Sequence, residues 1–238
     1  MLSARGALVR RGQFSLRGGM SVGPGELHAL VGRNGAGKTT WLRMLAGQIA
    51  PAAGEVLCGG EPCRPPRVAY LPARAEDAVL GARRLLEVDL TLSLQGDARD
   101  PAPRLAALER LLDISPERVG RSGEIFLRAL LGLLAMQPSV LLLDEPTSRL
   151  DPASRDAVFR ALRRLRQAGV TVVAATHDPE LARGADRMWL VADGAVAPSG
   201  LEEAVARGAL RLPGPAAAFP GLPARVDASG ALRLLLRP

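Results

Sequence analysis

Gly32-Arg33-Asn34-Gly35-Ala36-Gly37-Lys38-Thr39-Thr40 decides how this chain is read. The stretch matches the phosphate-binding loop G-x-x-x-x-G-K-[ST], whose glycines let backbone N–H groups turn inward around an anion. Lys38 is the only lysine of the chain, and every other one of its 31 Lys+Arg residues is arginine. A compact ammonium on a flexible stem reaches over such a loop to β- and γ-phosphates, where arginine's planar fork would collide with the backbone cradle. The surroundings agree with the motif. Residues 27–31 read as a short buried strand after the turn Gly23-Pro24-Gly25, and residues 39–46 have helical spacing with Gly47 as the stop. Strand, glycine loop and helix in that order predict a nucleoside triphosphate site, with the helix N-terminus facing the phosphates and Thr39 placed to ligate Mg2+.

Outward from the loop, residues 68–71 read as a second strand, ending at Pro72. The chain is then mostly helical from about 74 to 137, over 82–94, 103–112 and 124–136. Residues 140–143 form a fully apolar strand, 152–168 an amphipathic helix stopped by Gly169, and 170–174 another buried strand. Residues 188–191 and 195–197 around Asp193-Gly194 close a hairpin. Buried strands alternating with helices predict an α/β fold with a mainly parallel core sheet, a small antiparallel β part and a helical subdomain. Ligands then bind at the carboxyl ends of the strands.

Those ends carry the remaining candidate chemistry. Asp144 and Glu145 close the apolar strand 140–143, where Asp144 suits the metal and Glu145 suits a general base for the attacking water. Two acids in that place also suit the first turn of a helix. The phosphate loop in the same chain, and Pro146 next, favour the metal-and-base reading. His177 follows another buried strand and reads as a partner of the γ-phosphate and the water. His28, within strand 27–31, reads as a satisfied core or edge residue.

At 238 residues with 47% hydrophobic content, one large core is expected. Cys58 and Cys63 have no matching histidine cluster, so no metal site or disulfide is expected and a reducing cytoplasm fits. The first residues carry Arg5, Arg10 and Arg11 without an apolar run, which argues against a signal peptide. The most apolar stretch, 125–143, is broken by Arg128, Gln137 and Pro138 and is not expected to span a membrane. The net charge of +7 is scattered, with one tyrosine and no aromatic–basic interleaving, so nucleic acid is not an expected partner. The basic surface reads as solvated, with anionic lipid head groups next in line.

Taken together, these motifs resemble an ATP-binding-cassette (ABC) ATPase over about residues 2–200. Residues 32–40 match its Walker A loop and 140–145 its Walker B strand with the catalytic glutamate. Ser148-Arg149-Leu150-Asp151 is similar to the D-loop and Thr176-His177-Asp178 to the H-loop. The resemblance implies ATP and Mg2+ as cofactors, with Gly32, Arg33, Asn34, Gly35, Ala36, Gly37, Lys38, Thr39 and Thr40 binding ATP. It also implies Thr39 and Asp144 at the metal, and Glu145 and His177 in catalysis. Two such cassettes sandwich two ATP molecules, each completed by the other chain's signature loop and D-loop. The signature falls at Gly120-Arg121-Ser122-Gly123-Glu124, so Arg121, Ser122, Gly123, Glu124 and Asp151 are the expected dimer residues.

Three departures from the family stand out. Arg121 replaces the signature serine, Ala73 stands where a glutamine is usual, and the adenine-stacking aromatic is not obvious, with Arg11 in its place and Phe14 the nearest ring. Three accounts of Arg121 remain open: a spoiled site repaired by a different cassette, an arginine finger in a homodimer, or a solvent-facing residue with Ser122 making the contact. The implied whole is the ATPase subunit of an ABC transporter, cytoplasmic and peripheral on the inner face of the cell membrane. Its implied partners are a membrane-spanning subunit and a second ABC chain, with Ala73 favouring an exporter-type partner. The alternative is a soluble ABC ATPase of DNA repair or the ribosome, against which one uninterrupted cassette argues. Residues 1–200 are expected to form the ATPase domain. Residues 201–238 are expected to add a short helix, a Pro-rich linker over 213–223 and a hairpin, which packs on the core, meets a partner or stays disordered.

Overall fold

The computed structural model describes residues 1–80, 84–94, 100–113, 121–211, 224–226 and 232–234. Two antiparallel strands, β1 (Leu2–Arg11) and β2 (Phe14–Val22), precede β3 (Leu27–Val31), which enters the glycine loop and then α1 (Lys38–Leu45). Next come β4 (Ala53–Cys58), β5 (Glu61–Pro62) and β6 (Val68–Leu71), a single 3-10 turn (Ala75–Ala78), and α2 (Arg84–Leu94), α3 (Pro101–Leu112) and α4 (Arg121–Ala135). The second half alternates β7 (Val140–Asp144), α5 (Pro152–Gln167), β8 (Thr171–Ala175), α6 (Pro179–Arg183), β9 (Arg187–Ala192), β10 (Ala195–Ser199) and α7 (Leu201–Ala206). β11 (Ala224–Val226) and β12 (Leu232–Leu234) form a separate antiparallel pair, and the residues between them lie outside those described. The expected linker over 213–223 lies outside the described residues.

Ten strands form one hydrogen-bonded sheet in the order β5-β4-β1-β2-β10-β9-β3-β8-β7-β6. The run β9-β3-β8-β7-β6 is parallel, and the antiparallel part of β1, β2, β4 and β5 joins it through β10. The central strands are buried on both faces, which explains their unbroken apolar sequence. Period-2 alternation divides them between layers. Leu142, Val173 and Ala175 pack with Trp41, Leu42 and Leu45 of α1 on one face. Leu141, Leu143, Val172 and Ala174 pack with Leu127, Leu130 and Leu131 of α4 and Leu162 and Leu165 of α5 on the other.

His28 is fully buried and satisfied. Trp189 Nε1 donates to its Nδ1 at 2.9 Å, so its Nε2 carries the proton donated to Glu26 Oε2 at 3.0 Å. Burial holds its pKa below the ordinary histidine value, with the Glu26 carboxylate opposing. Cys58 and Cys63 are buried free thiols, and burial, followed by the neighbouring Cys58, pushes Cys63 up to about 12.

One helix boundary differs from expectation. The pattern predicts a helix from Glu124, but α4 begins at Arg121, so Arg121, Ser122, Gly123 and Glu124 form its first turn. Ser and Gly are weak helix formers, yet Phe126, Leu127, Leu130, Leu131 and Leu134 are buried along one face of α4. Packing of that face outweighs local propensity over the first turn. Gly120 and the side chains of Arg121 and Ser122 lie outside the described residues, as does the expected helical start at 82–83.

Candidate functional site

β3, β8 and β7 are neighbours in the sheet, and their carboxyl ends carry the glycine loop, Thr176-His177 and Asp144-Glu145 respectively. The register pairs Ala175 with both Leu30 and Asp144, which brings the three exits level. Residues from three distant parts of the chain thereby meet at one place.

The loop itself is closely packed. A Cβ on Gly32 would come within 2.6 Å of the Val191 carbonyl, and one on Gly37 (φ 109) within 2.5 Å of the Phe14 ring. The α1 helix has no side-chain cap and no acid in its first turn, so its leading N–H groups stay open to an anion. Phe14 is half-buried against this loop, while Arg11 lies exposed at the end of β1.

Lys38 is 7% exposed and held by three acceptors. Its Nζ donates to Gly32 O at 2.8 Å and to His177 Nε2 at 2.8 Å, and lies 3.5 Å from Glu145 Oε1. Burial lowers its pKa from the ordinary lysine value, while the Glu145 and Asp144 carboxylates oppose that shift. Glu145 adopts a left-handed backbone (φ 49), and its N–H donates to Ala175 O at 2.9 Å. Its Oε2 accepts the His177 backbone N–H at 3.2 Å. A residue held in this sparsely populated conformation beside Lys38 and His177 is one whose side-chain direction the surroundings impose.

Thr39 Oγ1 donates to Asp144 Oδ2 at 2.7 Å, and the Tyr70 hydroxyl donates to the same oxygen at 3.3 Å. Burial holds the Tyr70 phenol above its ordinary pKa, so it remains a donor. Hydroxyl and carboxylate oxygens side by side suit a hard cation such as Mg2+. Among the described residues no group of three His, Cys, Asp or Glu could hold a metal alone. A site of one or two protein oxygens is what Mg2+ needs when nucleotide phosphates and water supply the rest.

Asp178 ties the loops together. Its Oδ2 accepts from Thr147 Oγ1 and from Arg155 Nη2, each at 2.9 Å, while its Oδ1 caps α6 through Glu180 N at 2.9 Å. Asp151 caps α5, accepting from Ser154 N at 3.0 Å and Ser154 Oγ at 2.5 Å, and these bonds lower its carboxyl pKa. Thus the structure brings Lys38, Thr39, Asp144, Glu145 and His177 together, and places Gly123, Glu124 and Asp151 on helix starts elsewhere.

The ABC transporter family model matches residues 18–148. A second model, described as an AAA domain of a putative AbiEii toxin in a type IV toxin–antitoxin system, matches only 122–183. The energy-coupling factor transporter ATP-binding protein of Geobacillus kaustophilus is 34% identical over 203 residues, covering 77% of this chain and 71% of that protein. The chain belongs to the ABC transporter family. The cobalt import ATP-binding protein of Rhodobacter capsulatus is 36% identical over 217 residues, covering 82% of this chain and 78% of that one. In fold the chain is similar to cbiO1 of Clostridium perfringens, part of the ABC transporter complex cbiONQ, with a TM-score of 0.72, 22% identity and coverage of 87% and 91%. It is also similar to a dimeric ATP-binding cassette bound to ADP and Pi, with a TM-score of 0.68, 20% identity and coverage of 84% and 99%.

As an ABC transporter subunit, the chain binds and hydrolyses ATP to power a membrane-spanning subunit. The relatives named here are transporter subunits, and nothing in them supports the DNA-repair or ribosomal alternative. Among the described residues no helix is long and apolar enough to cross a membrane.

Two contributors to this ABC site escaped the sequence reading. Tyr70 is the only tyrosine, three residues before Ala73, and only the pairing of β6 with β7 brings it to Asp144. The carbonyl of Ala209 accepts from His177 Nδ1 at 3.2 Å. A main-chain oxygen carries no residue-type signal, so no sequence pattern could have pointed to it.

Proposed function

We propose that Lys38 and the loop 32–40 bind the ATP phosphates, that Thr39 and Asp144 hold Mg2+, and that Glu145 is the general base. The single observation behind this reading is the meeting of Lys38, Glu145 and His177 within 3.5 Å at the ends of β3, β7 and β8. Bound Mg2+ would neutralise phosphate charge. Lys38, released from Gly32 O and His177 as phosphates arrive, moves to the β- and γ-oxygens. Glu145 then faces the attacking water with a free Oε1. Two copies close over two nucleotides, with exposed Ser148 and Arg149 of one chain meeting exposed Arg33 and Asn34 of the other.

The chain sits on the inner face of the membrane against its spanning partner. Leu80, after the 3-10 turn, and Leu86, within α2, are exposed large apolar residues and form the contact. The direction of transport is uptake, as the name of the cobalt import relative suggests, and this replaces the exporter direction drawn from Ala73. Pull-down of the tagged chain from detergent-solubilised membranes is expected to recover an integral membrane protein. Lys38→Ala should abolish nucleotide-dependent stabilisation, which for the parent is about 2.7 kcal/mol at a ligand concentration 100 times Kd. Recovery of no membrane protein sinks the docking, and an unchanged melting shift in the mutant sinks the loop assignment.

A further inference from the structure

Glu145 holds a left-handed backbone position (φ 49), which a residue with a side chain keeps only where its neighbours impose it. On one side its N–H donates to Ala175 O of β8 at 2.9 Å. On the other its carbonyl accepts from Ser148 N at 3.2 Å and Ser148 Oγ at 3.1 Å, closing a turn over residues 145–148. Ser148 is exposed, so these two bonds leave the far side of the turn open to water. Thr147 supplies the anchor. It is 5% exposed, and its Oγ1 donates to Asp178 Oδ2 at 2.9 Å.

The Asp178 side chain is 9% exposed and is itself fixed on several sides. Arg155 Nη2 of α5 donates to the same Oδ2 at 2.9 Å. Oδ1 accepts from Glu180 N at 2.9 Å and Leu181 N at 3.4 Å, at the start of α6. The Asp178 N–H donates to Oγ1 of the fully buried Thr176 at 2.9 Å. Arg155 is held in turn, over the Phe159 ring at 5.8 Å and 3.5 Å from Glu180 Oε2. One carboxylate thus joins the turn after β7, the first turn of α5 and the start of α6. Capping α6 uses Oδ1 alone and gives no reason for a buried threonine and an arginine to converge on Oδ2.

We propose that Asp178 is a positioning residue for Glu145, acting through Thr147. This rests on the reading of Glu145 as the general base. The exit of β8 then holds Glu145 at three points. The Ala175 carbonyl takes its N–H, the His177 backbone N–H binds its Oε2 at 3.2 Å, and Asp178 anchors the turn that follows. With the backbone and Oε2 both fixed, Oε1 has one direction, and the attacking water meets a base already in place.

Asp178→Asn turns an amide NH2 toward either the Thr147 and Arg155 donors or the α6 N–H groups, so one set loses its acceptor. Thr147→Val removes the hydroxyl at similar shape and leaves Asp178, α6 and His177 in place. Thr147→Ser keeps the hydroxyl. In the nucleotide-free protein, hydrogen exchange should show lost protection of the Glu145 and Ser148 amides in the first two variants and parent protection in the third. In the first two, kcat should fall about tenfold with KM for ATP within about twofold, because placement is lost and not binding. Thr147→Ser should stay near the parent. On a Glu145→Gln background the same substitutions should slow the residual rate by less than about twofold, since nothing remains to be placed. Should Asp178→Asn fail to fold, Thr147→Val carries the same test. A full loss on the Glu145→Gln background, a serine variant as slow as the valine one, a raised KM with unchanged kcat, or parent exchange and turnover in Thr147→Val overturns the proposal. Turnover unchanged in Glu145→Gln alone overturns the reading of Glu145 as the base instead.

Discussion

Glu145→Gln separates binding from turnover, and the structure sets the size of each effect. The glutamine carbonyl can still accept the His177 backbone N–H in place of Oε2, which does so at 3.2 Å. What is lost is Oε1, 3.5 Å from Lys38 Nζ, where an amide NH2 now faces an ammonium. Lys38 keeps Gly32 O and His177 Nε2, each at 2.8 Å, so the structural cost should stay near the about 1–3 kcal/mol of one lost charge-assisted partner. The Lys38 pKa falls further, since Glu145 is the largest influence opposing its desolvation. Catalysis loses more. An amide cannot take the water's proton, and removal of a general base costs about 100- to 10,000-fold, or about 2.7–5.4 kcal/mol on the barrier. Phosphate release at saturating Mg-ATP should fall by that factor, nucleotide should still raise the melting temperature, and gel filtration with ATP should show a dimer. Turnover within about threefold of the parent, well short of general-base loss, would refute Glu145 as the base.

Tyr70→Phe removes a donor from Asp144 Oδ2 and leaves Thr39 as the remaining donor to that oxygen; because the lost contact is long at 3.3 Å, the gain in ATP affinity on adding Mg2+ should shrink by about 3- to 10-fold, the net worth of one ordinary hydrogen bond. Affinity measured in EDTA should stay the same, and an equal loss with and without Mg2+ would show a merely structural tyrosine. His28 has a depressed pKa, so between its folded value and about 6.5 the unfolded chain binds more protons; stability is full above about 6.5 and falls with acid by up to about 1.4 kcal/mol per pH unit. Trp189→Phe, which frees His28 Nδ1, should flatten that acid limb in urea melts, and an unchanged limb counts against the coupling. Arg121→Ser should raise the ATPase rate of the isolated chain if Arg121 spoils the site, lower it sharply if Arg121 is a finger, and leave it unchanged if Ser122 makes the contact.

What could be read from sequence was what local chemistry encodes. Lys38 after a glycine loop, and two acids closing an apolar strand, are contradictions of ordinary strand and helix composition that only a phosphate and metal site resolves. The antiparallel part left weaker marks. In β1 the register shifts between Ala4 and Ala7, and Arg5-Gly6 interrupt the alternation that would have announced a strand. Asp151 was read as a partner contact, although Asp-Pro-Ala-Ser also has the form of a cap followed by proline, and both roles are open to one exposed carboxylate.

The harder residues act across long separations. Tyr70 meets Asp144 over 74 positions and Ala209 meets His177 over 32, so neither partner is marked by its own neighbourhood. Ala73 shows how the two kinds of reading differ. Position alone marks it as a lost polar group beside the metal site. Geometry adds that Asp144 keeps a hydroxyl from the same strand exit, held in place by pairing of β6 with β7. Thr39 would leave Asp144 Oδ2 to bind a metal, whereas Tyr70 need not move. The orientation of Asp144 therefore does not depend on the missing side chain at position 73.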